Sequence, residues 1–448
     1  MVREADAPSY RYLLTGPYAA LVLGASGATF LASLDVLMVA PALPSAARDV
    51  GGIHLYALVV GIYSVMMTAG LPVGGALNDR RGVWPTLILG TICFTCGSFV
   101  GATAGEMWVI AAARALQGLG GGLLFSVPLA AIMQFLPAYL HRHALALNAA
   151  TWSASALLGP PLGSLLTEVA SWRLVFLVGL PPLALSVFLA RRGLRGHVPA
   201  PTEQGRLNVV GPALLALVVL FLLLVPLAAV VPAALFVWHE RRAAQPVFPR
   251  TTNGRAVCLL AAGAGVAFVG SEAFVQLDLQ AGIGWSVIAA AVPLILATCA
   301  WTIGSMTMAR VHLTPRTMMG VGTAIACLGC GIMALPVEGG LAVGLGLTVA
   351  ALGMGIQSPG LFIAVVDGAE GEEGRVTSSV PVARTIGGGV GIALAGAIVA
   401  AVAGQSALDA AEAGTGSVPA VHDGAQVAYL AAGIVCALVL PAVALLRR

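Results

Sequence analysis

Four ionisable residues lie where water should not reach. Asp35, Arg114, Glu272 and Arg384 each interrupt a long apolar run. Asp35 sits in the stretch Leu34-Asp-Val-Leu-Met-Val-Ala-Pro-Ala-Leu-Pro44, within a run that starts near Pro17 and carries no other charge until Arg48. An ionised carboxylate in hydrocarbon costs roughly 2.5–3.5 kcal/mol on insertion scales, so something must offset it. At about 1.5 Å per helical residue, Asp35 lies about 13 Å from Pro44, and Arg114 lies about 12 Å from Glu106. Glu272 stands at a similar depth below Gln280, whereas Arg384 enters from the opposite side and lies lower. Asp278 and Glu168 are nearer the ends of their runs.

An acid and a guanidinium at one depth suit a proton site. Desolvation favours the neutral carboxyl, a neighbouring arginine favours the carboxylate, and opening the site to one side changes that balance. A structural ion pair that fixes helix packing is the plainer alternative. Ionisable groups within membranes mark ion pathways often enough to favour the proton reading. Asp35, Arg114 and Glu272 are therefore the expected proton-coupling residues, with an Asp35–Arg114 pair. Arg114, Gln117, Gly118 and Gly121 share one helix face by their spacing, so that face is expected to look inward or toward a wet cavity. Gln117 and Gln357 are expected as polar groups of a substrate cavity, although Gln357 suits helix–helix contact equally well.

The elements that must position these residues follow from composition. The chain has 448 residues, 59% hydrophobic and 9% charged. Soluble proteins carry about 25% charged residues, so a soluble fold is excluded and a polytopic membrane protein is expected. All 22 basic residues are arginine. Runs long enough to span, at about 20 residues each, occur near 17–45, 54–77, 83–104, 107–136, 144–167, 173–190, 208–239, 256–281, 286–309, 317–336, 341–365, 376–403 and 425–446. The run 208–239 is too long for one span and short for two. Read as a hairpin turning near Pro226, it gives fourteen spans with both termini cytoplasmic, and nearly every loop arginine faces the cytoplasm, leaving Arg48 and Arg173 outside. Read as one span, it sends every later arginine outside, so the positive-inside rule favours the hairpin.

The expected plan is a cytoplasmic segment 1–16, a six-helix bundle 17–190, a loop 191–207, the hairpin 208–239, a loop 240–255 and a second bundle 256–448. Glycines cluster within the runs, as close helix packing in lipid requires. The pairs Cys93/Cys96 and Cys327/Cys330 are read as packing residues. His141 and His143 are read as solvated, and no metal-ligand set or HExxH motif suggests an enzyme. No cofactor and no nucleic-acid partner are expected.

Four motifs and one further stretch carry a resemblance. The stretch from Leu34 matches lDxTvVnvALPxi at Leu34, Asp35, Val39, Ala42, Leu43 and Pro44. Gly75-Ala-Leu-Asn-Asp-Arg-Arg-Gly82 matches GxLaDrxGrr at Gly75, Leu77, Asp79, Arg80 and Gly82, with Val83 and Trp84 where basic residues are usual. Arg114-Ala-Leu-Gln-Gly-Leu-Gly120 is close to RxxqGxg. Ser155-Ala-Leu-Leu-Gly-Pro-Pro-Leu-Gly163 is close to gxxxGPxxGg at Gly159, Pro160 and Gly163, with Ser155 and Ser164 replacing glycines. The stretch Trp238–Pro249 is similar to vErRxxxPllp, which follows the eighth helix. In order and topology the chain resembles the major facilitator superfamily, specifically its fourteen-helix drug:proton antiporter family.

The resemblance implies two six-helix bundles related by a pseudo-two-fold axis, two extra central helices, and a substrate site between the bundles near the midplane. It implies alternating-access export of small amphipathic or cationic compounds in exchange for protons, across the cytoplasmic membrane and by a monomer. Gly75, Asp79, Arg80 and Gly82 would serve gating. Gly159, Pro160 and Gly163 would mark an exporter rather than an importer. The rivals are a dedicated exporter of one metabolite or antibiotic and a transport-inactive membrane sensor.

Overall fold

The computed structural model describes residues 10–195, 210–224, 226–243, 246–308, 310–311, 313–366, 373–414 and 416–446. The regular elements among them are helices: α1 (Tyr10–Thr15), α2 (Ala19–Val50), α3 (Tyr56–Arg81), α4 (Val83–Ala102), α5 (Met107–Phe135), α6 (Ala138–Val169), α7 (Arg173–Leu177), α8 (Leu180–Leu194), α9 (Val210–Leu224), α10 (Val230–Arg242), α11 (Thr252–Leu277), α12 (Val287–Met308), α13 (Pro315–Met333), α14 (Leu341–Val366), α15 (Glu373–Glu412) and α16 (Pro419–Val439). Helices α2–α8 pack among themselves, as do α11–α16, and the two sets meet through α6 with α12, α3 with α15, and α2 with α11.

Among the described residues, 11 helical segments are long and apolar enough to cross a membrane. Helix α6, 32 residues long, stands outside that count. Helices α9 and α10, at 15 and 13 residues, are each shorter than a full crossing. They are joined through a 3-10 turn at Pro226–Ala229 and pack on one another, and α9 also leans on α3 and α15.

Local sequence explains how the helices start, stop and persist. Thr251 caps α11, its hydroxyl accepting from the Gly254 amide, and Thr314 caps α13 from ahead of Pro315 in the first turn. Gly82 ends α3 at φ 82°, a left-handed conformation that glycine adopts without steric cost. Helix α2 does not stop at Pro44. Both Pro41 and Pro44 lie inside it, and it continues to Val50. Proline keeps helical φ and loses one hydrogen bond, so the turn survives where surrounding helices support it.

Elsewhere the freed carbonyl has a named donor. Pro128 in α5 offers no amide to the Leu124 carbonyl, and the Thr29 hydroxyl of α2 donates there at 3.2 Å. Pro359 in α14 likewise frees the Gly355 carbonyl, and the Ser305 hydroxyl of α12 donates to it at 3.1 Å. Each half thus repairs a proline-broken turn with a hydroxyl from a neighbouring helix.

Candidate functional site

Four helices, α2, α3, α4 and α5, build the site around Asp35. Asp35 and Arg114 are each 3% exposed and Gln117 is fully buried. Arg114 Nη1 lies 2.5 Å from Asp35 Oδ2 and also donates to Gln117 Oε1 at 3.1 Å. Gln117 Nε2 donates to Asp35 Oδ1 and to Ser98 Oγ of α4, both at 3.0 Å. The guanidinium lies over the Tyr63 ring, 4.1 Å from its centre, and the Tyr63 hydroxyl donates to the Ala32 carbonyl one turn before Asp35. Arg114 Nε is buried without a hydrogen-bond partner among the described residues.

Both carboxylate oxygens therefore accept from a donor that has no acceptor role there. An added proton would turn one oxygen into a donor and displace either Arg114 or Gln117. Arg114 would keep Gln117 Oε1 and the Tyr63 face after such a displacement, so its charge would not be stranded.

Helix α6 sets the height of Asp35. A methyl at Gly163 would overlap the Met38 carbonyl, and one at Gly159 would lie 2.6 Å from Leu37 Cβ. Ser155 Oγ donates to the Phe30 carbonyl at 2.8 Å. Ser155, Gly159 and Gly163 thus form one strip that lets α6 lie directly on α2, while Pro160 and Pro161 stay inside a continuous helix.

Glu272 does not join this cluster. It is partly buried on α11 and makes no hydrogen bond or ion pair among the described residues. One turn earlier on the same face, Phe268 packs edge-to-face on Trp301, with centroids 5.3 Å apart. Arg384 stands over the same indole at 5.4 Å and donates to Ser358 Oγ at 3.0 Å. In the second half Phe268, Trp301, Arg384 and Ser358 thus meet, and Glu272 stands one turn along α11 from Phe268.

The two glutamines expected in a cavity each bond a neighbouring helix. Gln117 is taken up by Asp35, Arg114 and Ser98. Gln357 is fully buried, with Nε2 on Thr323 Oγ1 at 2.7 Å, and ties α14 to α13. Gln357 Oε1 is buried without a hydrogen-bond partner among the described residues. Of the loop motif, Asp79 and Arg80 are exposed on the last turn of α3 and form no ion pair among the described residues. Gly75 has open space around it and Gly82 supplies the helix stop. The buried member of that loop is Asn78, whose Nδ2 donates to Ser126 Oγ at 3.0 Å and to its carbonyl at 3.2 Å. Sequence reasoning missed Ser98, Tyr63 and Asn78, which are single polar groups whose partners lie on other helices.

Residues 25–392 match the Major Facilitator Superfamily. The chain is similar to "Putative multidrug resistance protein MdtD" of Escherichia coli O1:K1 / APEC and of Shigella boydii serotype 18, 35% identical over 154 residues in each case. That match covers 34% of this chain and 32% of each relative, so it spans about a third of either length. Among solved structures, the fold is similar to a bacterial homologue of the human lysosomal transporter Spinster in an inward-facing, unoccupied conformation. That similarity has a TM-score of 0.71 at 15% identity, covering 96% of this chain and 98% of the other. It is also similar to a peptide transporter POT in complex with sulfate, at TM-score 0.68 and 13% identity, covering 95% and 96%. With two packed helical sets and the matched span running from α2 into α15, the chain belongs to the major facilitator superfamily of membrane transporters.

Proposed function

We propose that the protein exports small amphipathic or cationic organic compounds across the cytoplasmic membrane in exchange for protons. Asp35 carries the proton and Arg114 is its counter-charge. The observation that carries this reading is the double occupation of the Asp35 carboxylate by Arg114 and Gln117 in a buried pocket. Loading a proton and releasing Arg114 are then one event, and the released guanidinium reports the load to α4 and α5. Glu272, without an ion-pair partner among the described residues and one turn along α11 from Phe268, is the partner for the charge of a cationic substrate. The similarity to relatives named for multidrug resistance supports the export direction.

In this reading both termini are cytoplasmic, and α9 and α10 form the extra hairpin that completes fourteen crossings. The arginine bias of the loops supports that orientation.

The test uses proteoliposomes with an imposed pH gradient and a panel of cationic dyes and antibiotics. Native protein is expected to transport at least one of them only with the gradient, and Asp35→Asn is expected to abolish that dependence. Gradient-driven transport that survives in Asp35→Asn would move coupling to Glu272. No transport of any panel member would favour a dedicated exporter or a sensor.

A further inference from the structure

The end of the second half that carries Gln280 holds another buried acid, which coupling through Asp35 does not use. Asp278 is fully buried and opens the π-helical turn Asp278–Gly282 at the end of α11. His422 Nδ1 lies 2.7 Å from its Oδ1, and the Tyr429 hydroxyl donates to Oδ2 at 3.0 Å. His422, Gln426 and Tyr429 come from one face of α16, at i, i+4 and i+7.

The amide of Gln426 identifies the state of the imidazole. Gln426 Nε2 donates to the Leu335 carbonyl at 3.1 Å and stands 2.9 Å from His422 Nε2. An amide nitrogen only donates, so His422 Nε2 accepts and the ring proton is on Nδ1, pointing at Asp278. Adding a proton at Nε2 sets two donors against each other. Gln426 must then turn its oxygen to His422, and the Leu335 carbonyl loses its donor. The side chain of His422 is 18% exposed, so protons from the medium can reach it.

The turn that holds Asp278 also touches the other half of the molecule. Gln280 Nε2 donates to the Pro41 carbonyl of α2 at 2.9 Å, and the Ala281 carbonyl accepts from the Val418 amide just before α16. A methyl at Gly282 would lie 2.9 Å from Asp278 Oδ1, so the acid is folded back on its own turn. The other titratable groups facing the pair are exposed Asp423, next in chain to His422, and buried Tyr429, Tyr56 and Cys330. No arginine pairs with Asp278 among the described residues.

We propose that Asp278 and His422 form a second proton-binding site, and that protonation of His422 loosens the closure between the two halves at that end. It stands independently of the role given to Asp35.

The test is hydrogen–deuterium exchange of the full chain in lipid nanodiscs at about pH 8 and about pH 5, a window in which histidine titrates, corrected for intrinsic exchange. In the native protein the amides of 278–286 are expected to exchange about tenfold faster at the lower pH. His422→Gln is expected to lose that step. Gln426→Ala leaves Asp278 and His422 in place, removes the clash of donors, and is also expected to lose it. This second variant keeps the test decisive if His422→Gln fails to fold. Asp35→Asn is expected to keep the step, which separates this site from the coupling site. A step of equal size in His422→Gln or Gln426→Ala, or no step in the native protein, would overturn the proposal.

Discussion

At the scale of single residues, several buried polar groups are answered by a specific donor or acceptor on another helix. Thr29 shows the logic most simply. Its hydroxyl satisfies a carbonyl that Pro128 orphaned, so Thr29→Val keeps the shape and removes the donor. A buried carbonyl left without a partner costs about 1–3 kcal/mol, and Thr29→Val is expected to lose that much in thermal or denaturant unfolding in detergent. Glu272 is the converse case, an acid with no hydrogen-bond or ion-pair partner to lose among the described residues. Glu272→Gln is expected to leave unfolding nearly unchanged. It should raise KM for monovalent cationic substrates about tenfold, the cost of a partly solvated charge pair, while sparing neutral ones. Equal effects on both classes in a transport assay would remove Glu272 from substrate recognition.

At the scale of elements, glycine matters where backbones touch and hardly elsewhere. Gly163 lies on Met38, one turn from Asp35, whereas Gly75 faces open space. Gly163→Ala is expected to destabilise by about 1–3 kcal/mol, because α6 cannot keep its distance from α2. Gly75→Ala, in mid-helix, is expected to be neutral or to stabilise by about 0.5–1 kcal/mol, the entropy a helical glycine forfeits. Paired melting curves check both, and a Gly163→Ala protein as stable as native would show that α6 can slide away at no cost. The same strip gives Gly159 and Gly163 a packing role that requires no view on export.

At the scale of the whole molecule, three hydrogen bonds join the halves among the described residues, and they share one end. Gln280 reaches the Pro41 carbonyl, Glu168 accepts from the Ile288 amide at 3.1 Å, and Glu412 accepts from the Ile53 amide at 3.0 Å. Each is worth about 0.5–1.5 kcal/mol, so removing two shifts an open–closed balance by roughly tenfold or more. The double variant Gln280→Ala/Glu412→Ala is expected to raise exchange of the backbone at 51–56 and 278–288 by that factor, with α4–α5 unchanged. Unchanged exchange at these segments would mean the apolar contacts around them hold the end shut alone.

The sequence by itself determined that the chain lives in a membrane, because 9% charge cannot clothe a soluble surface. It also singled out Asp35 and Arg114, because a charge in an apolar run must be answered and depth along a helix is countable. It could not determine where α2 ends. The apolar run ended near residue 45, yet the helix runs to Val50, since neighbouring helices decide whether a proline turn persists. Nor could it tell whether Gln117 and Gln357 face a cavity or a neighbour, since spacing gives a face and only packing gives what that face meets. The isolation of Glu272, the repair of the Pro128 and Pro359 turns, and the meeting of Asp278 with His422 all belong to the tertiary structure. Each depends on the rotation and height of one helix against another, and those are fixed by glycine contacts and hydroxyl bonds between residues far apart in the chain.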